Sequence, residues 1–172
     1  MRYSNAKVAD LDPKIKTLVQ QNITQDENKF KLHKGIFFYG DTGRGKTYAM
    51  YAIRNGLPSM LSKSEIKTWQ EYLFSMKLYY SDTKNNRNEF ELLKEKDVIF
   101  IDDVGAENKT EWSEEMFYMI VNYCYVYEKP LFISTNLSLS DFSKKYGDRI
   151  STRLLEMSEV FEMKGINRRL AK

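Results

Sequence analysis

Cysteine and histidine are almost missing from this chain, each occurring once, as Cys124 and His33. A lone cysteine excludes an internal disulfide, and one cysteine with one histidine cannot build a zinc site or a Cys-His catalytic pair within a single chain. Chemistry therefore falls to carboxylates, hydroxyls, amides, lysine and arginine. The sequence also lacks a run of 18 apolar residues and a charged-then-apolar leader, so it offers neither a membrane span nor an export signal and reads as cytoplasmic. An excess of one charge is missing too: 27 basic against 24 acidic residues leave a formal charge of +3, so any contact with nucleic acid must be a local patch. Internal repeats and low-complexity tracts are absent. Apolar and aromatic residues are plentiful, at 42% and 14% of 172, enough for one sizeable core and few for two.

Met1 to Lys34 is polar and reads as an N-terminal arm ahead of one domain spanning residues 35–172, with a short helix from Pro13 that Asp12 can cap. Gly35-Ile36-Phe37-Phe38-Tyr39 is a continuous apolar run ending in a glycine loop, the pattern of a buried parallel strand and its turn. Thr47 to Asn55 then reads as a helix stopped by Gly56, and Leu57 to Leu61 as a second strand. From Ser64 the spacing of Ile66, Trp69, Tyr72, Leu73 and Met76 predicts a helix. A polar break at Ser81 to Asn88 precedes a short helix ending at Lys96, and Val98 to Ile101 and Leu131 to Ser134 are two more short apolar strands. Between them Glu111 to Glu128 is apolar nearly all round, with Glu111, Glu114 and Glu115 in the first turns, where the helix dipole favours negative charge; it predicts a buried helix. Strands alternating with helices give an α/β fold, a mostly parallel sheet with helices on both faces.

Gly40-Asp41-Thr42-Gly43-Arg44-Gly45-Lys46-Thr47 lies between a predicted strand and a predicted helix, the context a phosphate loop requires. Its glycines let backbone N–H groups curl around phosphate oxygens, the helix N-terminus adds partial positive charge, Lys46 reaches the β and γ phosphates, and Thr47 holds magnesium. Asp102 and Asp103 end a buried strand at the edge where open α/β sheets bind ligands. Asp102 would hold magnesium and Asp103 would polarise the attacking water; aspartate is one methylene shorter than the glutamate common at the second position, so turnover is expected to be slow. Asn136 closes the strand after Pro130, either sensing the γ phosphate or capping the next helix. Arg149 and Arg153 share a helix face, as sites or as solvated charges, and Arg168 and Arg169 carry the same ambiguity.

Quoted in order, GIFFYGDTGRGKT, VIFIDDVGAE, the Thr110 to Trp112 turn, PLFISTN, GDRISTRLLE and GINRR resemble the helicase-loader branch of AAA+ ATPases, the DnaC and DnaI type, over about Gly35 to Leu170. The resemblance implies a P-loop ATPase domain with a five-stranded parallel sheet in the order 5-1-4-3-2 and a small or absent lid. It also implies that ATP and magnesium are bound, that Asn136 is a sensor residue, that Arg153 is a finger reaching a neighbouring subunit's nucleotide, and that Arg168 is a second sensor in cis. Thr110 and Trp112 match positions that contact single-stranded DNA in such loaders, against the alternative of a helix cap and a core tryptophan. The implied function is ATP-dependent loading of a replicative ring helicase, with ATP-controlled self-association and single-stranded DNA binding. The ATPase partner of a transposase and an ATP-switched binding module with little turnover are the competing readings.

Overall fold

The computed structural model describes residues 3–26, 29–59, 61, 64–81 and 89–167. Asp12 caps helix α1 (Pro13–Gln21), its Oδ1 accepting from the Lys14 amide at 2.8 Å, and a hairpin of β1 (Ile23–Asp26) and β2 (Lys29–Leu32) follows. The stretch expected as a polar arm in fact contributes Ala6, Leu11, Ile15 and Leu32 to a hydrophobic cluster of the main body. Its apolar residues are scattered, so average polarity hid them, yet these four are buried and Val8, Leu18, Val19, Ile23 and Phe30 pack against the same cluster half-buried.

The remaining strands are β3 (Gly35–Tyr39), β4 (Ile66–Thr68), β5 (Ile99–Val104), β6 (Leu131–Thr135) and β7 (Ser158–Glu162). They form one sheet in the order β4-β5-β6-β3-β7 with every pair parallel. Counted within the sheet in chain order this is 2-3-4-1-5, which is the expected 5-1-4-3-2 read from the opposite edge. Strands buried on both faces read as unbroken apolar runs, and alternate side chains go to separate cores. Ile36, Phe38, Phe100 and Phe132 face α2 (Lys46–Gly56) and the N-terminal elements, with Phe100 and Phe132 stacked at 4.7 Å. Phe37, Ile99, Ile101 and Ile133 face α3 (Trp69–Ser81), α4 (Glu89–Lys94), α5 (Glu111–Val126), α6 (Leu139–Tyr146) and α7 (Asp148–Met157). No helix among the described residues is long and apolar enough to cross a membrane.

Two expectations are corrected. The second sheet strand is Ile66–Thr68, not Leu57 to Leu61; Leu57 and Leu61 bury their side chains from a turn in which the Leu61 amide donates to the Pro58 carbonyl at 2.8 Å. Helix α5 is buried on one face only, through Met116, Phe117, Ile120, Val121 and Cys124, while Met119, Tyr125 and Val126 are exposed. Burial pushes the Cys124 thiol up to about 12, which keeps it protonated and inert.

Candidate functional site

Strand β3 delivers the chain to the glycine loop, and α2 starts directly after it at Lys46. Gly43 and Gly45 take φ of 82° and 94°, left-handed conformations that a side chain would oppose. Gly45 stands at the N-cap with no side-chain cap on α2, so the first amides of that helix are left for an anion. Lys46, only 7% exposed, folds back over the loop: its Nζ donates to the Gly40 carbonyl at 2.5 Å, the Asp41 carbonyl at 2.8 Å and Asn136 Oδ1 at 2.7 Å. The lysine is thus held where phosphate oxygens would replace some of these acceptors.

Thr47, one residue on, donates from Oγ1 to Asp102 Oδ2 at 2.8 Å. The two supply hard oxygens side by side at the C-terminal end of β5, a donor set that magnesium takes together with phosphate and water oxygens. Ser134 Oγ donates to Asp102 Oδ1 and accepts from the Asp103 amide at 3.0 Å.

Consecutive strand residues ordinarily point to opposite faces, so Asp102 and Asp103 should diverge. The β5–β6 register instead shifts between Ile101↔Ile133 and Val104↔Thr135, and Asp103 adopts φ of 54°. This bulge re-aims Asp103 along the top of the sheet. Its Oδ1 accepts from Asn136 Nδ2 at 2.8 Å, so Asn136 bridges Lys46 and Asp103 with both ends of one amide. The capping alternative for Asn136 falls away, because the N-cap of α6 is Ser138, which accepts from the Asp141 amide at 3.1 Å.

Other named residues lie apart from this centre. Thr110 caps α5 in a reciprocal box with Ser113. Trp112 is half-buried against the α5 side of the core, with Lys77 Nζ 5.2 Å from the centre of its ring. Arg153 and Arg149 lie on α7 against tyrosines of α5. Arg168 and Arg169 fall outside the described residues, as do residues 82–88 of the polar break.

Sequence reasoning missed several partners. Arg44, within the loop, pairs with Asp41 at 3.0 Å and donates to the Gly165 carbonyl, fastening the segment after β7 to the phosphate loop. A cavity of about 340 Å³ beside Gly45 is walled by Leu11 and Ile15 on one side and Phe161 and Met163 on the other, within the size of small-molecule sites. After the aspartates, buried Glu107 accepts from the Tyr146 hydroxyl at 2.5 Å and the Gly105 amide at 2.9 Å, and pairs with Lys145 at 3.1 Å. Burial and then the Glu107 hydrogen bond push the Tyr146 phenol up, so it stays protonated and donates. Tyr146→Phe leaves a buried carboxylate oxygen short of one donor and should cost about 1–3 kcal/mol, read as a lower melting temperature with ATP binding unchanged.

A model of the family described as the bacterial DnaA ATPase domain matches residues 11–158. The replicative helicase loader DnaI of Bacillus subtilis is 26% identical over 149 residues, covering 79% of this chain and 48% of that protein. Among solved structures, the DnaC helicase loader superposes with a TM-score of 0.79 at 23% identity, covering 95% of this chain and 99% of that one. The replication initiator DnaA bound to AMPPCP and single-stranded DNA superposes with a TM-score of 0.70 at 22% identity, covering 97% and 51%. The chain spans less than half the length of the first curated relatives it matches.

Proposed function

Because the chain belongs to the family of the bacterial DnaA ATPase domain and has the fold of the DnaC and DnaI AAA+ proteins, we propose that it is a cytoplasmic, ATP-hydrolysing helicase loader acting in replication initiation. The observation that carries the reading is the single hydrogen-bonded set of Lys46, Thr47, Asp102, Ser134, Asn136 and Asp103 at the C-terminal ends of β3, β5 and β6. The phosphates would lie in the glycine loop from Gly40 to Thr47 and the nucleoside in the adjoining cavity between Leu11 and Met163. Magnesium, held by Thr47 and Asp102, would offset phosphate charge.

Lys46 places a positive charge on the β and γ phosphates, and Asp103 orients the attacking water. The Asn136 amide engages only one oxygen of the Asp103 carboxylate; Oδ2 makes no hydrogen bond to the described residues, which suits a water molecule. Asn136, joined to both Lys46 and Asp103, can report the γ phosphate to the residue that activates water. Arg153 would complete the charge stabilisation from a neighbouring subunit, so turnover would follow assembly. Arg168 would serve as a second sensor in cis.

Capture experiments test the partner. Protein loaded with a non-hydrolysable ATP analogue should retain the host's purified replicative ring helicase and release it without nucleotide. Retention of a transposase in its place would shift the reading to the competing ATPase class, and retention that ignores nucleotide would remove the ATP switch.

Single-stranded DNA is proposed to meet Thr110 and Trp112, where a helix N-terminus, an aromatic ring and the Lys77 ammonium lie together. Trp112→Ala should weaken single-strand binding by about 1–3 kcal/mol with ATP affinity unchanged. Fluorescence anisotropy of a labelled oligonucleotide reads this directly. Lower melting with unchanged DNA affinity would assign Trp112 to the core alone.

A further inference from the structure

Arg153 is held in an unusual way for a charged side chain. Its guanidinium carbon lies 5.4 Å from the ring centre of Tyr118 and 5.3 Å from that of Tyr125, so it sits between two aromatic rings of α5. Tyr118 and Tyr125 are seven residues apart, two turns on one helix face. Tyr125 is itself braced, its hydroxyl donating to Glu156 Oε2 at 2.8 Å from the next turn of α7. Yet Arg153 Nη1 is buried without a hydrogen-bond partner among the described residues. Other arginines of the fold spend their donors internally: Arg44 on Asp41 and Gly165, Arg54 on the Ser64 carbonyl. Arg149 shares the Tyr118 face at 5.0 Å but not Tyr125.

We propose that Tyr118 and Tyr125 are positioning residues that clamp the Arg153 guanidinium between their rings, burying Nη1, and leave its other N–H groups without an internal acceptor for the nucleotide of a neighbouring subunit. The inference rests on the reading of Arg153 as a finger in trans. A carboxylate partner would also fix the arginine, but it would occupy the N–H groups that a γ phosphate needs and would have to be broken at each engagement. An aromatic face attracts the cation through its quadrupole and takes no directional donor. The clamp therefore restricts the side chain in advance, which lowers the ordering cost of engagement without consuming the group that acts. Tyr125, braced by Glu156, contributes a ring that among the described residues holds the Arg153 cation and not that of Arg149.

The test replaces both rings by aliphatic groups, Tyr118→Leu with Tyr125→Leu, and compares this with the double Tyr→Phe variant, in which both faces remain. ATP turnover at saturating protein concentration should fall about 10- to 100-fold in the leucine variant, with the KM for ATP and the monomer's ATP affinity unchanged. The phenylalanine variant should retain turnover within about threefold. Mixing the leucine variant with Asp103→Asn protein should restore turnover, since the second protein supplies an intact clamp and finger. The Arg153 Nε–Hε resonance gives a reading that needs no turnover: ring currents should shift it in wild type and in the phenylalanine variant, and the shift should vanish in the leucine variant. Full turnover in the leucine variant while Arg153→Ala is inactive would overturn the clamp and leave the finger standing. Full turnover in Arg153→Ala would overturn both. A loss of the same size in the phenylalanine and leucine variants would also overturn the clamp, because ring faces would then not be what matters.

Discussion

Lys46→Ala should reduce ATP affinity by about 100-fold or more, roughly 3 kcal/mol, while the protein remains folded. The lysine ammonium is held by two loop carbonyls and by Asn136 Oδ1, at 2.5 to 2.8 Å. When phosphate arrives, the ammonium can stand between those acceptors and the incoming negative charge. Without it, the carbonyls of Gly40 and Asp41 would face phosphate oxygens directly, and acceptor would oppose acceptor. Alanine is the best helix former and Lys46 opens α2, so the helix itself should tolerate the change. Titration calorimetry with ATP and a melting curve on the same sample separate the two effects. Near-normal affinity would show that the glycine loop is not the nucleotide site.

The loop and the Asp102-Asp103 pair were legible because each needs special residues at fixed spacing and each sits on a buried apolar strand. The parallel sheet was legible for the same reason: Phe37, Phe100 and Phe132 belong to runs that are apolar on both faces. What sequence reading missed has a common cause, the weak signal of elements with one covered face or very short length. Strand β4 is only Ile66–Thr68, and the helical spacing of Trp69, Tyr72 and Met76 just after it absorbed Ile66 into a helix. Strand β7 at the sheet edge buries only Ser158 and leaves Val160 exposed, and its Ser-Glu-Val-Phe-Glu carries no continuous apolar run.

The site shows the same division. Residue identity named Asp103 and Asn136, but only the bulge explains how two adjacent aspartates serve one site, and no local pattern announces a bulge. Ser134 read as the end of a strand, yet it joins Asp102 to the Asp103 amide. Glu107 carries no local signal of its own, and its burial against Tyr146 and Lys145 depends on a helix some 40 residues further along the chain. Long-range partners of this kind are set by topology, which becomes visible only when the sheet order places α6 against the loop after β5.

Arg153→Ala should leave ATP binding within about twofold of wild type and lower turnover by about a thousandfold, the lower part of the range known for arginine fingers. Arg153 makes no hydrogen bond to the glycine loop of its own chain among the described residues; it lies on α7, against α5, with a guanidinium that has no acceptor. If Arg153 acts across an interface, as proposed, its loss should be invisible to a monomer binding ATP and large for an assembly hydrolysing it. Arg149→Ala should do less, because Arg149 is exposed and rests on Tyr118 alone. Mixing supplies the decisive comparison. Asp103→Asn protein keeps its finger but cannot orient water, and Arg153→Ala protein keeps Asp103 but lacks the finger. In an equal mixture, random head-to-tail assembly pairs an intact finger with an intact Asp103 at about a quarter of interfaces, so roughly a quarter of wild-type turnover should return. Steady-state phosphate release across mixing ratios measures it. The restored rate should peak near equal amounts and fall to the level of each inactive parent at the extremes, whereas a flat response at the parental level across all ratios would rule out action in trans.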